Sequence, residues 1–364
     1  MTAAAAGRAT VRSRSGMASR ARGALLGLGA GVVSRLPEGP LIAAANGAGE
    51  LWYRTAPGRA QQGRLNLRRV CAWLVANDMA SDRVRAATQD PAALERLVRS
   101  AFRHAARYYL EVVRTPALGE RALREHLVVE TPKTLDAALA NGPVIFVGLH
   151  FGAIEVPALY LSRRSGLRVT VPMETIADTG VQGWFERTRG AAGVNVVDVG
   201  RARRELLAAL RRGEPVGLVG DRDLTGGGIA VEFFGAPAPL PAGPALLAIE
   251  TGAPVYLAAV RRTGTGRYRG RVEQIPVPAD GTRRERVKGF LAAEARAFER
   301  VIATAPEQWW ALFFPIWPDL VASGHSWPGR PARRPARREP GSGPAAQPEP
   351  GQRPGDTPHG LVPR

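Results

Sequence analysis

The sequence predicts an α/β fold: a central, mostly parallel twisted sheet flanked by helices, with a helical extension at the N-terminus. Three observations carry this. From residue 132 onward, short apolar runs alternate with amphipathic helical patterns, the signature of repeated βαβ units. Residues 65–130 show helical periodicity only. Once both tails are set aside roughly 300 residues remain, enough for one large α/β domain or a domain plus a helical extension.

In chain order, residues 1–22 are rich in Arg, Ala and Ser without apolar periodicity and are expected to be a disordered tail. Residues 23–130 read as an N-terminal helical, membrane-facing region. The apolar run Ala24 to Val33 is too short to span a bilayer, which takes roughly 20 residues. With the amphipathic stretch Leu41 to Tyr53 it reads as an interfacial helix pair. Arg54, Arg59, Arg64, Arg68 and Arg69 follow and suit an anionic surface; an ordinary solvated helix face reads the same way. Leu94, Leu97, Val98, Ala101 and Phe102 recur at helical spacing behind an Asp90-Pro91 start, and His104 and His126 fit a packed helix better than a site.

The α/β core is expected over 131–323. Its predicted strands are Val144–Leu149, Arg168–Pro172, Val194–Val199, Pro215–Val219, Ala230–Phe234 and Pro254–Val260, with Arg269–Ile275 at an edge. Helices fall between them, and a long helix from about Arg283 to Ala303 closes the domain. Residues 324–364 are Pro-, Arg- and Gly-rich and cannot build a core; the final Leu361-Val362-Pro363-Arg364 has the form of a thrombin-site remnant.

The formal net charge of +18 favours anionic partners such as acidic headgroups or phosphorylated cofactors. A nucleic-acid binder would rest on charge alone, because no RNP, zinc-finger or helix-turn-helix pattern is present. Cys71 is the single cysteine, which excludes an intrachain disulfide and a Cys-rich metal site.

The stretch Val144 to Glu155 carries the strongest chemistry. His150 ends an apolar strand and precedes a helix whose first turn holds Pro157, so it sits where α/β proteins place ligands. Five residues apart on one helix, His150 and Glu155 would diverge by roughly 140°. With the helix starting near residue 153 or 154, a loop histidine and a first-turn glutamate can face each other, and the carboxylate would fix the imidazole tautomer. A capping histidine beside a solvated glutamate reads equally well.

Further blocks follow. Asp221, Arg222 and Asp223 close a strand, as a site or as a salt-bridged turn. Glu232 is a charge within an apolar strand; buried, it would need a partner such as His150. Phe233 and Phe234 are adjacent and so expected on opposite strand faces. Arg187 or Arg189 could bind a phosphate, or lie on a solvated helix. Trp309, Trp310 and Trp317 suit a membrane belt, an acyl pocket or the core.

His150-x4-Glu155 after an apolar strand resembles the His-x4-Asp/Glu signature of the glycerolipid and lysophospholipid acyltransferase superfamily. Together with Arg187–Gly190, Asp221-Arg222-Asp223-Leu224, Glu232-Phe233-Phe234-Gly235, Pro241-Ala242-Gly243-Pro244 and Trp309, it is similar to the branch holding lipid A late acyltransferases and phosphatidylinositol mannoside acyltransferases. That branch more often shows Asp where Glu155 stands.

The resemblance implies a glycerol-3-phosphate acyltransferase-like fold and a peripheral enzyme on the cytoplasmic side of the plasma membrane. Its donor would be acyl-CoA, its acceptor an anionic glycolipid, with no cofactor, metal or nucleic acid. It implies His150 as general base, Glu155 as its orienting acid, backbone N–H groups near Gly152 at the helix start as donors to the developing oxyanion, and Arg187, Asp221, Arg222 and Glu232 as substrate contacts. Another glycolipid or lysophospholipid acceptor, or hydrolysis of an acyl ester or thioester, fits the same blocks.

Overall fold

The computed structural model describes residues 3–114, 118–140, 142–224 and 226–323, with side chains from residue 18. Six helices come first: α1 (Ala3–Val33), α2 (Glu38–Thr55), α3 (Pro57–Ala76), α4 (Asp82–Gln89), α5 (Pro91–Arg114) and α6 (Glu120–His126). Residues 3–22 are therefore helical, not the expected tail, and the alanine content that hid any periodicity is also the strongest helix former. Helix starts follow their sequence signals: Asp90 accepts from the N–H groups of Ala92 and Ala93 at 2.8 and 3.1 Å. The α5 face predicted from periodicity is buried, from Leu94 through Phe102.

The next elements alternate: β1 (Leu127–Val129), α7 (Pro132–Ala140), β2 (Ile145–Gly148), α8 (Glu155–Ser165), β3 (Val169–Met173), α9 (Thr179–Ala191), β4 (Val194–Asp198), α10 (Ala202–Arg211) and β5 (Val216–Val219). Then come β6 (Ile229–Phe233), β7 (Ala236–Leu240), α11 (Gly243–Thr251), β8 (Val255–Gly264), β9 (Arg267–Ile275) and α12 (Arg283–Thr304). Seven strands form one sheet in the order β1-β9-β8-β2-β5-β3-β4. Pairing is parallel except between β8 and β9.

The Arg269–Ile275 strand is not an edge, because β1 pairs outside it, just before the expected core boundary at residue 131. The Ala230–Phe234 strand also leaves the main sheet and forms a two-stranded antiparallel hairpin with β7. Its two-residue turn, Phe234-Gly235, has positive φ at both positions, the geometry that matches hairpin twist. Phe234 therefore does not obey strand alternation, and both Phe233 and Phe234 are buried.

The tryptophans answer one of the open readings. Trp309 and Trp317 are fully buried and pack with Phe233 and Phe234 in one aromatic cluster. Cys71 is buried, and burial pushes its thiol up to about 12, as befits a core thiol. The basic stretch is partly matched internally: Arg64 pairs with Glu95 and Arg69 with Asp319, while Arg59 lies over the Phe314 ring.

Helix α1 packs on α9. Ser19 Oγ donates to Asp178 at 2.6 Å and Arg22 pairs with the same carboxylate. A Cβ on Gly180 would fall 1.7 Å from the Ser19 carbonyl oxygen, so only glycine permits this approach. Leu25, Leu26, Leu28, Val32, Leu36 and Leu51 remain exposed on α1, α2 and their connection. No helix among the described residues is long and apolar enough to cross a membrane.

Candidate active site

The parallel register of β2 and β5 builds the site. Gly148 lies opposite Val219, and the Gly220 N–H donates to the Gly148 carbonyl at 3.0 Å. Each chain then runs two residues past its strand, so His150 and Asp221 arrive side by side at the C-terminal end of the sheet. The His150 ring meets Asp221 through Nδ1 at 2.7 Å from Oδ1, and the His150 backbone N–H donates to Oδ2 at 2.9 Å. The Trp309 indole N–H donates to the same Oδ2 at 2.7 Å.

Three donors thus converge on one carboxylate that is 0% exposed, while the imidazole keeps 19% of its side-chain surface open. Burial pushes the Asp221 carboxyl up, but the charge and hydrogen bonds of His150, with the Trp309 indole hydrogen bond, outweigh it and hold the group below its ordinary range. An ionised Asp221 accepts from Nδ1–H and leaves the Nε2 lone pair facing outward, the tautomer a base requires.

The segment after α12 clamps this loop. Trp310 donates its backbone N–H to the His150 carbonyl at 2.9 Å, and Phe151 bridges to Trp309. The Trp310 ring packs edge-on against His150 at 4.5 Å between centroids and stacks on Tyr108 at 4.8 Å. Ring and backbone contacts together leave the imidazole little rotational freedom.

Glu155 does not reach His150 as its hydrogen-bond partner. It begins α8, and its carboxylate is taken by Arg189 of α9 at 2.5 and 3.1 Å, both side chains being largely buried. Arg189 also contacts the Met173 sulfur at 2.7 Å and lies over the Phe185 ring. The inward arginine of α9 is therefore Arg189, whereas Arg187 is exposed and makes no ion pair among the described residues. Glu232 is exposed on the hairpin and pairs with Arg296 at 2.8 Å rather than with His150.

Gly152 has a positive φ of 53°, and a Cβ there would fall 2.0 Å from the Val260 carbonyl oxygen. Its N–H donates to the Gln308 carbonyl at 3.0 Å, and that of Ala153 to Val260 at 2.9 Å. These amides are engaged and are not the oxyanion donors expected at this helix start. Arg222, half-buried beside Asp221, has a guanidinium 3.7 Å above the Phe314 ring and an Nε with no hydrogen-bond partner. Burial lowers its affinity for a proton. Asp223 instead accepts from the Gly226 and Gly228 N–H groups and shapes the glycine-rich loop.

Beneath the site, Glu294 of α12 is 0% exposed and neither oxygen has a hydrogen-bond partner. Burial, followed by the nearby Asp221 charge, raises its carboxyl well above the ordinary range. Nothing in the helical pattern of α12 marked it. The orienting role of Asp221 had a legible signal: His150 and Asp221 stand at the same offset beyond apolar strands. Among the described residues no cluster of His, Cys, Asp and Glu is arranged to hold a metal ion.

A histidine–carboxylate pair at the C-terminal end of a mostly parallel sheet is an arrangement able to accept a proton from a bound group. The model of the bacterial lipid A biosynthesis acyltransferase family matches residues 85–316, and the chain belongs to that family. Its similarity extends to particular members. It is 33% identical over 221 residues to the phosphatidylinositol mannoside acyltransferase of Mycolicibacterium smegmatis, covering 59% of this chain and 71% of that protein. It is 36% and 37% identical over 154 residues to the proteins of the same name from two Mycobacterium tuberculosis strains, covering 40% of this chain. In those two comparisons it spans 48% of the relative's length.

Proposed function

We propose that the protein transfers a long acyl chain from acyl-CoA to a mannose hydroxyl of a phosphatidylinositol mannoside. The observation that carries this reading is the His150–Asp221–Trp309 network, set in a chain of the acyltransferase family. The acceptor comes from the names of the relatives, and the donor and location from the family resemblance.

An alcohol is a poor nucleophile at neutral pH. Nε2 of His150 takes its proton as the oxygen attacks the thioester carbonyl, while Asp221 stabilises the imidazolium that forms. Collapse of the tetrahedral intermediate breaks the carbon–sulfur bond, and the imidazolium returns the proton to the departing thiolate. Base catalysis of this kind contributes ~10²–10⁴-fold in rate. Arg222, with its unpartnered Nε, is placed to meet negative charge on the donor or acceptor. The exposed leucines of α1 and α2 support docking to the cytoplasmic face of the plasma membrane.

Purified protein incubated with labelled palmitoyl-CoA and a panel of mannosylated and simple phospholipids should yield an acylated mannoside, identified by mass. His150→Ala should abolish transfer with an unchanged melting profile; wild-type transfer by that variant would overturn the mechanism. Free palmitate without acceptor would point to a hydrolase instead.

A further inference from the structure

Arg262 of β8 stands between the His150 loop and a separate cavity of about 130 Å³. Its Nη2 donates to the Gly152 carbonyl at 2.8 Å, and its Nε and Nη2 grip Glu111 at 2.6 Å each. That ion pair satisfies Arg262. Two other guanidiniums line the same cavity from α5, Arg107 and Arg114. Arg107 donates through Nε only to the neutral side-chain oxygen of Asn46 at 2.8 Å. Arg114 has a buried Nη1 with no partner. Neither makes an ion pair among the described residues.

Three guanidiniums thus face two carboxylates, Glu111 and Glu38, and Glu111 is already engaged. Glu38 lies against the β8–β9 turn, where a Cβ on Gly266 would fall 2.3 Å from its oxygen. Burying cationic groups without a counter-charge is unfavourable. The surplus is felt nearby: burial, then Arg262 and Arg107, drives the His104 imidazole down to about 2, so it stays uncharged.

We infer that this cavity binds a phosphate group, clamped by Arg107 and Arg114. The forked guanidinium donors suit phosphate oxygens, and the leucine wall beside them suits an organic body attached to that phosphate. This site is distinct from the His150 cleft and does not depend on the reaction assigned there.

The test is calorimetric titration of the full chain at 0.15 M salt with inorganic phosphate, with coenzyme A, and with phosphatidylinositol vesicles against phosphatidylcholine vesicles. Saturable binding of one of the phosphate probes is expected, and which one binds distinguishes free phosphate, a nucleotide phosphate and a lipid headgroup. Arg107→Gln and Arg114→Gln should each weaken it by about tenfold or more. Ala122→Phe, which fills the cavity without altering charge, should weaken it too and guards against misfolding of the arginine variants. Arg211→Gln, an exposed charge away from the cavity, should leave it unchanged. The inference fails if no probe binds saturably, if the three cavity variants bind like wild type, or if Arg222→Gln alone abolishes binding, which would move the phosphate to the His150 site.

Discussion

Asp221→Asn is the sharpest probe of the site. The carboxylate accepts three hydrogen bonds, from the His150 ring at 2.7 Å, the His150 backbone at 2.9 Å and the Trp309 indole at 2.7 Å. An asparagine of the same shape offers one acceptor oxygen and a donor NH₂ group. Its NH₂ must face one of those donors, or the imidazole must move its proton to Nε2 and present a bare Nδ1. The second outcome removes the proposed base. The first leaves a buried N–H unsatisfied, which costs about 1–3 kcal/mol of stability.

Either way the imidazolium loses its buried counter-charge. We expect kcat to fall about 10³-fold, within the range that positioned base catalysis contributes, with KM little altered. Steady-state kinetics with palmitoyl-CoA, run beside Glu155→Gln, is the assay. Glu155 is bound to Arg189 and should matter less. A variant Asp221→Asn within threefold of wild type, beside a Glu155→Gln enzyme reduced a thousandfold, would transfer the orienting role to Glu155 and refute the reasoning.

Other consequences concern stability. Glu294 has its folded-state affinity for a proton raised, so its favourable contribution is full below the unfolded carboxylate range, near ~4.3, and is lost as pH rises toward the folded value. Glu294→Gln should therefore melt higher than wild type at pH 8, with the gap closing toward pH 4.5. Calorimetry showing a pH-independent gap would remove that account. Asp221 has the opposite sign: its stabilising share is present at neutral pH and declines only as pH falls below the ordinary aspartate range. Gly152→Ala places a methyl group into the Val260 carbonyl at positive φ, and the expected result is a large loss of melting temperature or of soluble protein.

How much of this was legible in one sequence can be judged element by element. Strands β2, β3, β4, β5 and β8 were visible because buried parallel strands are short apolar runs. Strand β7 was missed because Ala236-Pro237-Ala238-Pro239-Leu240 contains two prolines, tolerated only in an edge pair such as this hairpin. His150 was found because it interrupts an apolar run at a strand-to-helix junction. Its partner was not, because nearness along the chain favoured Glu155 over a residue 71 positions away.

The sequence by itself determined the sheet-and-helix alternation, the position of His150 and the helical N-terminal region, since these depend on local periodicity and on residues adjacent in the chain. Tertiary structure alone decided that Asp221 orients the imidazole, that Glu155 belongs to Arg189, and that Arg107, Arg114 and Arg262 share a cavity. Hydrogen bonds and ion pairs reach only a few ångströms, and which groups come that close is set by strand register and helix packing, which join distant parts of the chain.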